Sequence, residues 1–142
     1  MTRPDMFNGL TVVRIAASLA FLLALCLAAT AQEAGDPDKG KSVYNRCKAC
    51  HQLGPDARNG TGPELNGIIG RPVASVEGFR YSDALTARGG TWDAQSLGAY
   101  LANPRKAVPG TRMAFPGLRS DADTANLLAY LARFDQTGQP VP

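Results

Sequence analysis

Cys47-Lys48-Ala49-Cys50-His51 gathers most of the chain's metal-binding and nucleophilic side chains into five positions. Two thiols three positions apart fall on nearly the same side of a helical turn, and an imidazole follows at once. The rest of the chain is poor in such groups. Its 142 residues hold one histidine, three cysteines and three methionines, and beyond residue 31 only Cys47, Cys50, His51 and Met113 remain. One disulfide is the plain use of two cysteines in an exported chain. A structural zinc site needs four Cys or His ligands, and three contiguous ones fall short. A thioredoxin-like redox pair belongs in a βαβ setting, and no strand–helix alternation surrounds this stretch. The spacing fits covalent attachment of a c-type haem, in which each thiol adds across one vinyl group of the porphyrin and the adjoining imidazole reaches the iron.

The sixth iron ligand follows by elimination. A second imidazole is excluded within one chain. Met113 is the remaining thioether, and it sits in Val108-Pro109-Gly110-Thr111-Arg112-Met113-Ala114-Phe115-Pro116. A lone methionine is ordinarily a flexible filler of cores. Here a loop stiffened by proline and glycine, together with the absence of competitors, selects Met113 as the ligand, with lysine ligation or an open position as alternatives. A soft sulfur ligand favours ferrous iron and raises the potential relative to a bis-histidine haem. Iron with six ligands has no vacancy for a substrate, which argues for electron transfer over catalysis.

Composition sets wider bounds. The length suits one domain, and 44% apolar residues exclude a disordered chain. A net charge of +3 is too mild for a dedicated nucleic-acid binder but suits docking to acidic surfaces. Fifteen glycines and ten prolines point to a loop-rich fold. At the N-terminus, Arg3 and Arg14 precede an apolar run from Ile15 to Ala29, followed by Ala29-Thr30-Ala31. These are the parts of a secretory signal peptide. Residues 1–31 are therefore expected to be removed after Ala31, leaving one domain over 32–142 in the periplasm. The alternative is an uncleaved anchor facing the periplasm, although its apolar stretch is near the lower limit for a span. A lipoprotein reading of Cys26 is weaker, because Leu25 is too bulky for that cleavage.

The expected fold is all-α, with four to five short helices. Asp36-Pro37 starts the first, which is expected to run into Cys47–His51. Gln52 to Tyr81 lacks periodicity, and so long a loop is acceptable only if it packs on a bound group. Ser82 caps a short helix ending at Gly89-Gly90, and Thr91 caps another that Asn103-Pro104 stops near Ala102. Ser120-x-x-Asp123 approximates a capping box. Leu127, Tyr130, Leu131 and Phe134 follow it at the spacing of one helix face. Trp92 and Tyr100 suit the core of any small helical domain.

From Gly35 to about Thr137 the chain resembles the class I cytochromes c, in the mitochondrial-type and bacterial c2-like branch. Gly35-Asp36, Lys39-Gly40-Lys41 and Tyr44 match that family's first helix. Thr61-Gly62-Pro63-Glu64-Leu65-Asn66-Gly67 is similar to the segment whose proline carbonyl orients the axial histidine, which gives Pro63 that role. Gly70-Arg71 with Tyr81 and Trp92 resembles the set around the haem propionates. Tyr100 matches a tyrosine near the sulfur ligand. Asn103-Pro104-Arg105-Lys106 through Thr111 and Met113 matches the ligand loop, and Leu127, Tyr130 and Leu131 match the last helix. The resemblance thus implies one covalent haem c, with Cys47, Cys50, His51, Pro63, Arg71, Tyr81, Trp92, Tyr100, Thr111 and Met113 around it and iron held by His51 and Met113. Two departures stand out. Leu85 occupies a place where relatives often have an asparagine near the inner propionate, and Arg46, Arg105 and Arg112 stand where lysines are common.

The expected function is a mono-haem carrier passing single electrons from a quinol-oxidising complex to an oxidase or reaction centre. The alternatives are a haem subunit of a periplasmic dehydrogenase, or a small ligand-binding or peroxidase-like haem protein. Arg46, Lys48, Arg105, Lys106 and Arg112 lie close in sequence to the attachment motif or the sulfur loop. Around an exposed haem edge they would steer acidic partners.

Overall fold

In the computed structural model, which describes residues 35–141, the chain enters its first helix where a capping carboxylate meets a proline. Helix α1 spans Pro37–Tyr44, and the Asp36 side chain accepts from the backbone N–H groups of Asp38 and Lys39. Those bonds, led by the one from Lys39, hold the Asp36 carboxyl below the usual carboxylate range. The helix does not run on into the thiol motif as expected. It ends at Tyr44, with Asn45 as C-cap. Arg46 N–H then donates to Val43 O (3.0 Å), Cys47 N–H to Tyr44 O (2.8 Å) and Cys50 N–H to Cys47 O (3.0 Å). Bonds spanning three residues wind the chain more tightly than an α-helix does.

Helix α2, Asp83–Arg88, lies between the Ser82 cap and Gly89, whose φ of 58° ends it. Helix α3, Ala94–Ala102, starts two residues later than expected. Asp93 is its cap: the carboxylate accepts from Ser96 N–H at 2.7 Å, and the Ser96 hydroxyl accepts from Asp93 N–H at 3.1 Å. Thr91, the expected cap, is instead paired with Pro72 in an isolated bridge. Asn103-Pro104 both stops α3 and starts a one-turn helix α4, Pro104–Ala107, in which Asn103 Oδ1 accepts from Lys106 N–H. Helix α5, Asp121–Leu131, is capped by Ser120. Phe134 falls beyond its end, bridged to Pro140, yet its ring still stands edge-on to Tyr130 at 5.4 Å. Among the described residues there are five helices, two isolated bridges and no strand, so the fold is all-α.

The core joins Val43 and Tyr44 of α1, Leu97, Tyr100 and Leu101 of α3, and Leu127 and Leu131 of α5 with Leu65, Ile68, Trp92 and Leu118 from the loops. Its main crossing is α1 on α5. Gly40 makes that crossing close, because a Cβ there would overlap the Asn126 carbonyl of α5. Asp36 N–H donates to Asn126 Oδ1 at 2.7 Å, Tyr44 packs on Tyr130 with ring centres 5.6 Å apart, and Arg46 pairs with Asp123 at 3.4 Å. The expected leader, residues 1–31, lies outside the described residues, among which no helix is long and apolar enough to cross a membrane. Gly40→Ala is expected to lower stability by about 2–3 kcal/mol, because backbone must move to admit one methyl group. Denaturant unfolding of the haem-loaded protein would read this as a fall in midpoint.

Candidate haem-binding site

His51 is held at three points. Its N–H donates to Cys47 O at 2.9 Å, its carbonyl accepts from the Tyr44 hydroxyl at 2.9 Å, and its ring Nδ1 lies 2.7 Å from Pro63 O. A carbonyl only accepts, so Nδ1 carries the proton and Nε2 keeps its lone pair. Burial pushes the imidazole below its ordinary pKa, and the Pro63 bond partly opposes that shift. The ring is thus a neutral donor through Nε2, the form a metal ligand needs. Gly62 allows this approach, since any Cβ at that position would run into the imidazole. Two ladder-like bonds keep the segments in register: Gly62 N–H donates to Cys50 O at 2.9 Å, and Leu65 N–H donates to Gln52 O at 3.0 Å. The long loop therefore folds back on the motif.

The sulfur loop is braced from α3. The Tyr100 and Thr111 hydroxyls lie 2.7 Å apart, and Thr111 Oγ1 also accepts from Met113 N–H at 3.4 Å. Burial raises the Tyr100 pKa, while the Thr111 bond acts against it. Trp92 is buried, with Tyr100 at 5.1 Å between ring centres and the Arg88 guanidinium 4.4 Å above its indole. Tyr81 accepts weakly from Val76 N–H at 3.4 Å and packs edge-on to Phe79. Neither Cys47 nor Cys50 is in a disulfide. Burial raises the Cys47 pKa, Tyr44 is pushed up to about 12 chiefly by burial, and both side chains therefore stay protonated.

All ten residues singled out in the sequence border one cavity of about 720 Å³: Cys47, Cys50, His51, Pro63, Arg71, Tyr81, Trp92, Tyr100, Thr111 and Met113. Leu65, Ile68, Leu85, Leu97, Leu101, Leu127 and Leu131 complete its wall. The size is that of a cofactor pocket. An apolar wall around one neutral imidazole, one thioether and two thiols suits a flat porphyrin with iron at its centre. Among the described residues no three of His, Cys, Asp and Glu gather as a metal site, so the zinc alternative lacks its ligands.

Three polar features were missed in the sequence. Arg71 is not free to face the cavity alone, because Glu64 Oε1 accepts from its Nη1 at 2.7 Å. Arg80 also borders the cavity, and its carbonyl accepts from Arg112 Nη2, tying the long loop to the sulfur loop. Arg88 covers Trp92. All three depend on loop geometry that spacing does not encode. Of the five cations expected at the edge, Arg46 and Arg112 border the cavity; Lys48, Arg105 and Lys106 do not.

The comparisons point to one family. The model of the Cytochrome c family matches residues 37–134. Cytochrome c-554 of Methylosinus trichosporium is 48% identical over 132 residues, covering 93% of this chain and 98% of that protein. Cytochrome c2 of Rhodoblastus acidophilus is 50% identical over 105 residues, covering 74% of this chain and 98% of its own length. The solved structure of cytochrome cH from Methylobacterium extorquens is similar with a TM-score of 0.65 at 40% identity, over 69% of this chain and 98% of that one. Motif, cavity and kinship converge: the chain belongs to the cytochrome c family, as a mono-haem electron carrier rather than an enzyme, with covalently bound haem c as its cofactor.

Proposed function

We propose that this carrier works on the exported side of the membrane, in the periplasm. There it takes single electrons from a quinol-oxidising complex and delivers them to an oxidase or a reaction centre. The observation that carries the reading is the meeting, at one cavity, of an imidazole whose Nδ1 proton is committed to Pro63 and the only thioether beyond residue 31. Cys47 and Cys50 would carry the two thioether links, and His51 and Met113 would hold the iron. Bound there, haem c supplies a one-electron iron couple. Pro63 orients the imidazole and fixes its tautomer, while burial keeps the ring neutral. Tyr100 and Thr111 hold the sulfur loop so that Met113 is presented without rearrangement. Arg71, Tyr81 and Trp92 serve the propionates. Leu85, in place of a polar neighbour, keeps that side of the cavity dry.

The leader-like residues 1–31 support export. A mass spectrum of protein from its native host is expected to give a chain starting at Gln32 with one haem added. A full-length chain would replace soluble export with tethering. The ferrous protein is expected to refuse carbon monoxide near neutral pH, whereas Met113→Ala takes it up with a shifted Soret band. Ready uptake by the parent protein would remove Met113 as ligand.

Partner docking rests on the cations near the cavity and the sulfur loop. Arg112, Arg105, Lys106 and Lys48 stay in that set, and Arg80 joins it. Arg46 contributes less, because Asp123 lies 3.4 Å from its guanidinium and offsets its charge. Rim charges act on association rate and its salt dependence. At low ionic strength Arg112→Gln is expected to slow bimolecular electron transfer to an acidic partner by about two- to threefold, and Arg46→Gln by less. Stopped-flow rates against salt would show the variants converging as charges are screened. A flat salt profile for the parent would remove steering.

A further inference from the structure

Arg71 and Glu64 form the most enclosed ion pair among the described residues. Their side chains are 12% and 19% exposed, whereas each of the other three pairs has a partner at least half exposed. The guanidinium makes three bonds: Nη1 to Glu64 Oε1 (2.7 Å) and Asn66 O (2.7 Å), and Nη2 to Glu64 O (2.9 Å). The second carboxylate oxygen of Glu64 accepts from Asn66 N–H at 2.5 Å. Glu64 N–H in turn donates to Asn59 Oδ1 at 3.2 Å. Arg71 borders the cavity and Glu64 does not, so the carboxylate acts on the site through the guanidinium. Glu64 also follows Pro63, the residue that holds the His51 ring.

We propose that Glu64 is a positioning residue that sets the reduction potential of this carrier: its carboxylate fixes Arg71 at the cavity wall and cancels much of the guanidinium charge there. The inference goes beyond the shuttle reading and rests on it only for the presence of haem. An isolated cation beside a redox centre penalises the oxidised, more positive state. A carboxylate in contact with that cation removes most of the penalty. Because both groups are shielded from water, salt screens their effect weakly. The bland competitor is a brace: the same bonds tie residues 59–71 together whatever their charge.

Charge and bracing separate in the variants. Glu64→Gln keeps the shape and an accepting oxygen but loses the charge. Equilibrated against a reference couple of fixed potential, the haem-loaded Glu64→Gln protein is expected to lie about threefold or more further toward the ferrous form, at both low and high salt. Glu64→Asp, which keeps the charge, should stay nearer the parent. Arg71→Gln should move the opposite way, toward ferric. The double variant, with both charges gone, should fall between the singles and near the parent, because the two opposite shifts cancel. A folded Glu64→Gln protein with a lower thermal midpoint and an unchanged equilibrium would overturn the proposal and leave Glu64 as a brace. Should that variant not fold, Arg71→Gln and Arg71→Lys read the same pair with Glu64 intact. The proposal then requires Arg71→Gln to move toward ferric and Arg71→Lys to move less, and the reverse order overturns it. Failure of the haem reading would look different: the parent itself would show no reversible one-electron titration.

Discussion

The bond between the His51 ring and the Pro63 carbonyl is the constraint from which the site follows. A chain with one histidine has a single choice of imidazole, and that imidazole binds iron well only if it is neutral, aimed and unable to turn. The Pro63 carbonyl meets the last two needs by accepting from Nδ1–H, and burial meets the first. The bond in turn demands that residues 61–63 pass directly beside the ring, which leaves no room for a side chain at position 62. Proline and glycine at adjacent positions are thus two halves of one requirement. The backbone bonds from Gly62 and Leu65 to the motif hold the loop at that separation.

The remaining architecture supplies a dry wall and a second face. Residues from the thiol motif, the long loop, α2, α3, the sulfur loop and α5 all reach the cavity, so no single element forms it. This explains how a chain with so little helix encloses so large a hollow. The irregular stretch from Gln52 to Tyr81 would be a liability in a domain that packed only on itself. Here Leu65, Ile68 and Phe79 border the cavity, and backbone polar groups of the loop are satisfied by Asn59, Asn66 and Arg71. On the second face, Thr111 accepts from the Met113 backbone while sharing a proton with Tyr100. The loop thereby takes its position from α3 rather than from its own stiffness alone.

Much of this was legible in the sequence because the decisive groups are scarce and local. The thiol motif, the lone histidine and the one methionine beyond residue 31 required no tertiary information, and the resemblance supplied Pro63, Arg71, Tyr81, Trp92 and Tyr100. Helix starts marked by Asp36-Pro37, Ser82 and Ser120 were readable because a cap is a bond between near neighbours. The start of α3 is not legible at Thr91: a threonine before a polar run looks like a cap, yet its backbone is engaged across the loop with Pro72 and Asp93 caps the helix. The end of α1 was placed too late, because a helical turn and a tighter three-residue turn share nearly the same spacing of apolar positions. Asn103-Pro104 was read as a stop only, although asparagine and proline together also open a turn. The pairing of Arg71 with Glu64 and of Arg112 with the Arg80 carbonyl lay beyond reach, since both are set by how loops meet.

The crossing of α1 on α5 brings residue 40 against residue 126, so the two ends of the domain close on each other. Leu127 and Leu131, carried by that last helix, are also part of the cavity wall. The last helix is thus at once the partner of the first and one side of the hollow, so whatever loosens their crossing also opens the cavity.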